Sequence, residues 1–265
     1  MKRIISNLLR KLAGTKKMQK IYETLFRVAL SGMNYGNGGD LTESGELNVL
    51  KIVKEKFNTE ILITIFDVGG NVGNYSKSLS DVFNDKAIIH AFEPSKKTFE
   101  IFLTNTVGIK NIIPNNFGLS DSETDLVLYS NAEASQLASL YQRNMEHFGL
   151  TMDISEKIKL STIDNYCQKN NISHIHFLKL DIEGHELTAL KGARQMIANK
   201  KIDLIQFEFG GCNIDSRTYF QDFFYLLKGK YRIYRIIKDG LVEISQYKET
   251  NEVFITINYL AERLD

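Results

Sequence analysis

Four acidic residues stand at the ends of apolar runs, and they are the groups in this chain best placed to do chemistry. Asp67 follows Ile61-Leu62-Ile63-Thr64-Ile65-Phe66, Glu93 follows Ala87-Ile88-Ile89-His90-Ala91-Phe92, Asp181 closes residues 175–180, and Glu208 closes residues 202–207. Asp67 also opens the turn Asp67-Val68-Gly69-Gly70-Asn71-Val72-Gly73-Asn74, a cofactor-binding signature when it lies between a buried strand and a helix. A dinucleotide site needs glycines in a G-x-G-x-x-G frame to seat a pyrophosphate, and that frame puts Asn71 and Asn74 where glycines should be. The acid-first frame Asp67, Gly69, Asn71, Gly73 fits better, because Asn tolerates left-handed backbone angles. An acid beside the turn suits a cofactor whose end is cationic. Glu93, about 20 residues beyond the turn, is spaced to accept both hydroxyls of a ribose. Asp181 and His185 are candidate bases, and Glu183 is a candidate cap for the helix that follows. Glu208 joins the catalytic candidates as a carboxylate on the neighbouring strand end, within reach of a cation shared with Asp181. No metal is expected, since a hard cation collects more carboxylates than the sequence places here.

The elements that must hold these groups follow from periodicity. The acid-terminated runs lack polar alternation and read as central strands of a parallel sheet, whose carboxyl ends carry ligands. Helices are expected over residues 46–57, with Leu47, Leu50, Ile52, Val53 and Phe57 inward, and over 95–106, 186–198 and 216–227. A third strand covers 111–116, with Pro114 at its end or at a bulge, and another covers 123–129. Ser120 and Asp121 fall at the next strand end. Residues 132–160 are polar and helix-prone, an insertion over the sheet edge in which Gln136, Tyr141, Arg143 and His147 are candidate acceptor contacts. Residues 32–40 form a glycine-rich loop, either a lid that brings Tyr35 and Asn37 to the site or a plain connection. Strands at 231–237 and 252–258, around the turn Asp239-Gly240, are expected to pair antiparallel.

Composition limits the function classes. The 265 residues, 43% hydrophobic, suffice for one large α/β domain, and a net charge of +1 excludes a general nucleic-acid binder. Two distant cysteines, Cys167 and Cys212, form neither a disulfide framework nor a zinc motif. With no spanning apolar run and no signal-peptide pattern, a cytoplasmic location is expected. Residues 1–22 hold seven basic residues and no acid, with Ile4, Ile5, Leu8, Leu9 and Leu12 at helical spacing. That stripe either packs on protein or docks on anionic lipid, which would place the chain peripherally at the inner membrane surface. The organisation is therefore 1–44, basic helix and loop, and 45–265, the main domain.

The segments FDVGGNVGNYS, AFEPS, GLSDSETDL, LSTIDNY and FLKLDIEGHELTALKGA, in this order across about residues 45–257, resemble the FkbM family of S-adenosylmethionine-dependent methyltransferases. Gly70 departs from the alanine the family typically has there. The resemblance implies a Rossmann-like class I methyltransferase fold: α/β, with a mostly parallel seven-stranded sheet, an antiparallel terminal strand pair and N-terminal helical additions. It also implies S-adenosylmethionine as cofactor and O-methylation of a small-molecule or glycan acceptor, often a sugar hydroxyl. Asp67, Gly69, Gly73 and Glu93 would hold the cofactor, aided by Asn71, Asn74, Ser120 and Asp121, with Asp181 near the reacting centre. The rivals are a nicotinamide-dependent oxidoreductase and a non-catalytic interaction protein of the same fold. Oligomeric state is left open.

Overall fold

The structure is a computed structural model that describes residues 13–37 and 41–264. Its main sheet joins β1 (Ile63–Val68), β2 (Ala87–Phe92), β3 (Ile112–Asn115), β7 (Ile175–Leu180), β8 (Ile202–Phe209), β9 (Tyr231–Ile237), β10 (Gly240–Glu243) and β11 (Ile257–Arg263) in the order β10-β9-β11-β8-β7-β1-β2-β3. From β3 to β8 neighbouring strands are parallel, and β11 runs antiparallel to both β8 and β9. Burial explains the apolar runs: all eight residues of β8 are buried, and β1, β2 and β7 each leave one residue half-buried. Pro114 sits on the edge strand β3, where a missing N–H costs least.

The expected α/β class is present, with eight strands in the main sheet where seven were expected. The extra strand is β10, because the tight turn before Gly240 reverses the chain into a hairpin with β9. The expected antiparallel pairing of β9 with the last strand does form, Tyr259 opposite Arg235, by insertion between β8 and β9 rather than through that turn. The last strand also lies later than expected, at Ile257–Arg263, because its first five residues are buried and show no alternation to read.

A second, three-stranded sheet is built from β4 (Gly118–Leu119), β5 (Thr124–Ser130) and β6 (Ile154–Ser161), in the order β4-β6-β5. The segment expected to be helix-prone thus ends in a strand, and before it forms only one 3-10 turn, Glu146–Phe148. Its polar side chains take the backbone donors a helix would need. Ser135 Oγ accepts from Leu137 N at 3.0 Å, Ser139 Oγ from Tyr141 N at 3.2 Å and Asn144 Oδ1 from Glu146 N at 3.1 Å.

The longer helices are α1 (Gln19–Gly32), α3 (Glu46–Lys56), α4 (Asn74–Phe83), α5 (Lys96–Asn105), α6 (Ile163–Lys169) and α10 (Phe220–Leu227); α2 (Leu41–Ser44), α7 (Glu186–Lys191), α8 (Arg194–Ala198) and α9 (Cys212–Ser216) are short. The single helix expected over 186–198 breaks at Gly192, where a Cβ would lie 1.9 Å from the Ser120 carbonyl oxygen. Helix α3 buries Val49, Leu50 and Val53 together with Glu46, so its inner face is rotated from the expected one and Leu47 is exposed. The stripe Ile4 to Leu12 lies outside the described residues. Beside it, α1 buries only Leu30 and leaves Ile21, Leu25, Phe26 and Val28 exposed. Among the described residues no helix is long and apolar enough to cross a membrane.

Candidate active site

The carboxyl ends of β1, β2, β7 and β8 open onto a cavity of about 870 Å³, walled on one side by the 136–150 segment and the second sheet. Its floor is the turn after β1. Gly69 and Gly70 both donate their N–H groups to the Phe92 carbonyl, at 3.0 and 2.9 Å, which ties the turn to β2. Gly69 has φ 88°, and a Cβ there would come within 1.9 Å of the Asp181 carbonyl oxygen, so the turn also presses on the end of β7. Asn71 holds φ 46°, and its own Oδ1 accepts from Val72 N at 2.8 Å.

Glu93 is fixed by this turn. Its Oε2 accepts from Asn71 N at 3.0 Å and its Oε1 from Ser95 N at 2.9 Å, which leaves further lone pairs on both oxygens at the cavity edge. Burial raises its carboxyl to about 7 against those two hydrogen bonds. This arrangement fits a ribose, whose two hydroxyls donate to one carboxylate. The surrounding wall is apolar, with Phe92, Leu119, Leu128 and Leu160, a surface suited to a purine.

Asp67 stands behind the turn rather than in the cavity. It is fully buried, with Oδ2 accepting from Ser76 Oγ at 2.6 Å and Oδ1 left without a hydrogen-bond partner. Burial raises its pKa, and the nearby Lys179 ammonium acts in the opposite direction. Gly73, with φ 89°, starts α4 and does not border the cavity; Gly69, Asn71 and Asn74 do.

Across the floor, Lys179 is a buried lysine among the apolar residues Phe177, Leu178 and Leu180 of β7. Its Nζ donates to Asp181 Oδ2 at 3.0 Å and lies 4.3 Å from the centre of the Tyr75 ring. Burial works against its charge, yet the carboxylates of Asp181, Asp67 and Glu46 outweigh it and hold its pKa above the ordinary value. Glu46 borders the cavity from α3, accepting from Gln206 Nε2 at 2.7 Å and Ser44 Oγ at 3.1 Å. Asp181 is the more open of these acids, with its side chain 40% exposed to the cavity.

Beyond Asp181 lie Glu183, Glu208 and Cys212, whose ligand atoms fall within 4.8 Å of one another. Glu183 is paired with Arg143 Nη1 at 2.5 Å, and burial pushes the Cys212 thiol up, so this set offers an oxygen-seeking cation little. Glu183 does not cap the helix. Glu186, the first residue of that helix, instead holds the preceding loop, its Oε1 accepting from Ile182 N at 2.9 Å and Gly184 N at 3.2 Å. His185 borders the cavity with both ring nitrogens engaged, Nε2 with Ser120 Oγ at 3.0 Å and Nδ1 with Tyr141 OH at 3.2 Å, and burial lowers its pKa to about 4.

Of the remaining sequence candidates, Gln136 and Arg143 border the cavity. Ser120 and Tyr141 stand behind it as partners of His185, Asp121 faces away, and His147 is exposed. Tyr35 is buried in the core and its ring lies 5.3 Å from the Arg235 guanidinium; Asn37 bonds to Asn34 at 3.0 Å. Neither borders the cavity, although the Gly36 N–H is tied at 2.8 Å to the carbonyl of Thr256, which does. Sequence reasoning passed over Lys179, Glu46 and Tyr75. Lys179 did leave a signal, a charged residue inside a doubly covered strand; Glu46 looked like an ordinary first-turn acid.

A mostly parallel sheet with β11 inserted in reverse between β8 and β9, and a cofactor-sized cavity at the ends of its central strands, define a class I methyltransferase fold. The Methyltransferase FkbM domain matches residues 67–235, and the chain belongs to that family. It is 27% identical over 167 residues to the hexuronic acid methyltransferase AglP of Haloferax volcanii, a match covering 63% of this chain and 64% of that protein. The chain thus aligns with less than two thirds of that relative's length. Among solved structures it is similar to a METTL16 methyltransferase domain (11% identity, 83% of this chain and 68% of that one, TM-score 0.46) and to a SAM-dependent methyltransferase from Agrobacterium tumefaciens (10%, 82% and 62%, TM-score 0.43).

Proposed function

We propose that the chain transfers the methyl group of S-adenosylmethionine to a hydroxyl of a sugar. The observation that carries this is the pairing of two differently held carboxylates across one glycine turn. Glu93, fixed by two backbone N–H groups, is suited to a ribose, while Asp181, fixed by Lys179, stands open to an acceptor. The bound cofactor supplies an electrophilic methyl on a sulfonium. Asp67, Glu46 and Asp181 surround this end of the floor with negative charge, which favours a cationic methionine end over a phosphate. The same charge opposes the nicotinamide reading, since a pyrophosphate would face these acids.

Asp181 takes the proton of the acceptor hydroxyl, and Lys179 orients its carboxylate. His185 acts as a wall that positions Tyr141 and Ser120, its ring nitrogens being already engaged. The hexuronic acid in the name of the Haloferax relative supports a sugar as acceptor class. The test is labelled methyl transfer to glycan, lipid and small-molecule fractions, alongside calorimetry with S-adenosylhomocysteine and with NAD. Binding of NAD and not of S-adenosylhomocysteine would overturn the reading. Cofactor binding with no labelled product in any fraction would favour the non-catalytic alternative.

A further inference from the structure

The acids around the cavity differ in one respect: all but one have a protein partner. Asp181 has Lys179, Glu183 has Arg143, Glu93 has two backbone donors, and Glu46 has Gln206 and Ser44. Glu208 borders the same cavity, is 9% exposed, and has no hydrogen bond or ion pair among the described residues. Its position is also strongly negative. Asp181, Glu183 and Glu186 act on it in one direction and Lys179 alone in the other. Among the described residues both cations bordering the cavity are committed, Lys179 to Asp181 and Arg143 to Glu183, with Asp215 a further 3.6 Å from the Arg143 Nε. A ligand carboxylate here would find no free counter-charge, whereas an ammonium would find a free carboxylate in a field of its own preference.

We propose that the acceptor carries a primary amine, as an amino sugar does, and that the Glu208 carboxylate pairs with its ammonium. This rests on the sugar-methylation reading and narrows it. It also separates this chain from its Haloferax relative, whose name specifies an acidic sugar. The cofactor's own sulfonium is a poorer occupant for Glu208. Holding that charge would stabilise the state that methyl transfer must leave, and so slow the reaction.

Burial and the neighbouring acids raise the Glu208 pKa above its ordinary value, and an arriving ammonium acts in the opposite direction. The test is calorimetry on the full chain saturated with S-adenosylhomocysteine, near neutral pH. The ligands are the glucosamine tetrasaccharide, its fully N-acetylated form and tetragalacturonate. Expected are binding of the amine form at least about tenfold tighter than either other ligand, and loss of that preference in Glu208→Gln. Equal affinities, tighter uronate binding, no saccharide binding, or an amine preference that survives Glu208→Gln would overturn the inference while leaving the methyltransferase reading standing. If S-adenosylhomocysteine itself fails to bind, both fall. Should Glu208→Gln not fold, the comparison of amine and N-acetyl ligands on the wild-type chain decides.

Discussion

In the proposed function, single side chains divide the cavity into a half for the cofactor and a half for the acceptor. Glu93→Ala is expected to weaken S-adenosylhomocysteine binding by about 1–3 kcal/mol through loss of charge-assisted ribose bonds, read by calorimetry. Because its carboxyl sits at about 7, affinity in the wild type should rise as the pH is taken upward through that value and flatten above it. Glu93→Gln should remove this dependence. Asp181→Asn should keep cofactor affinity and lose most turnover, and wild-type turnover would remove Asp181 as the base. Lys179→Met strips the counter-charge from Asp67 and Glu46, both buried, so denaturant unfolding should show a loss of about 3–5 kcal/mol. These roles were unequally legible. Asp181 and Glu93 could be placed because a strand end fixes a residue to within a position or two. Lys179 escaped because, Asp181 apart, the acids that hold its charge come from β1 and α3, far away in sequence.

The turn and caps between elements are where backbone geometry becomes the constraint. Gly69→Ala would set a Cβ against the Asp181 carbonyl in a left-handed conformation, and should abolish cofactor binding and cost about 2 kcal/mol or more in thermal unfolding. Thr162, whose side chain accepts from Asn165 N at 3.0 Å, caps α6; Thr162→Ala should cost about 1 kcal/mol and leave cofactor binding intact. Elements were readable where local pattern and burial agree, as in β1, β2 and β7. They were misread where tertiary contact overrode the pattern. The helix breaks at Gly192 where Asp164 intervenes, its N–H donating to the Gly192 carbonyl and its carboxylate accepting from Gln195 N and Met196 N, and the 132–153 segment stays irregular because its serines bond to the neighbouring backbone.

At the scale of the whole molecule, the near-neutral total charge conceals an acidic interior. Burial raises the carboxyls of Glu93 and Glu183 to about 7 and of Glu186 to about 8, from 4.5 when exposed. The folded chain therefore binds these protons more tightly than the unfolded chain. Their contribution to stability is complete below about pH 4.5 and is lost as the pH rises through 7 to 8. The melting temperature of the ligand-free protein should accordingly be higher at mildly acidic pH than at about pH 8.5, and Glu186→Gln should narrow the gap.

The sequence by itself determined the parallel core, the glycine turn and the acids at the strand ends, because strand burial, turn chemistry and chain spacing are local properties. Tertiary structure alone decided which acids face the cavity. It moved Asp67 behind the turn, drew Tyr35 into the core, tied His185 to two partners and left Glu208 without one. The physical reason is that a carboxylate's use depends on the donors and charges that surround it, and here these come from α3, β7, β8 and the 132–153 segment, which meet only when the sheet is assembled.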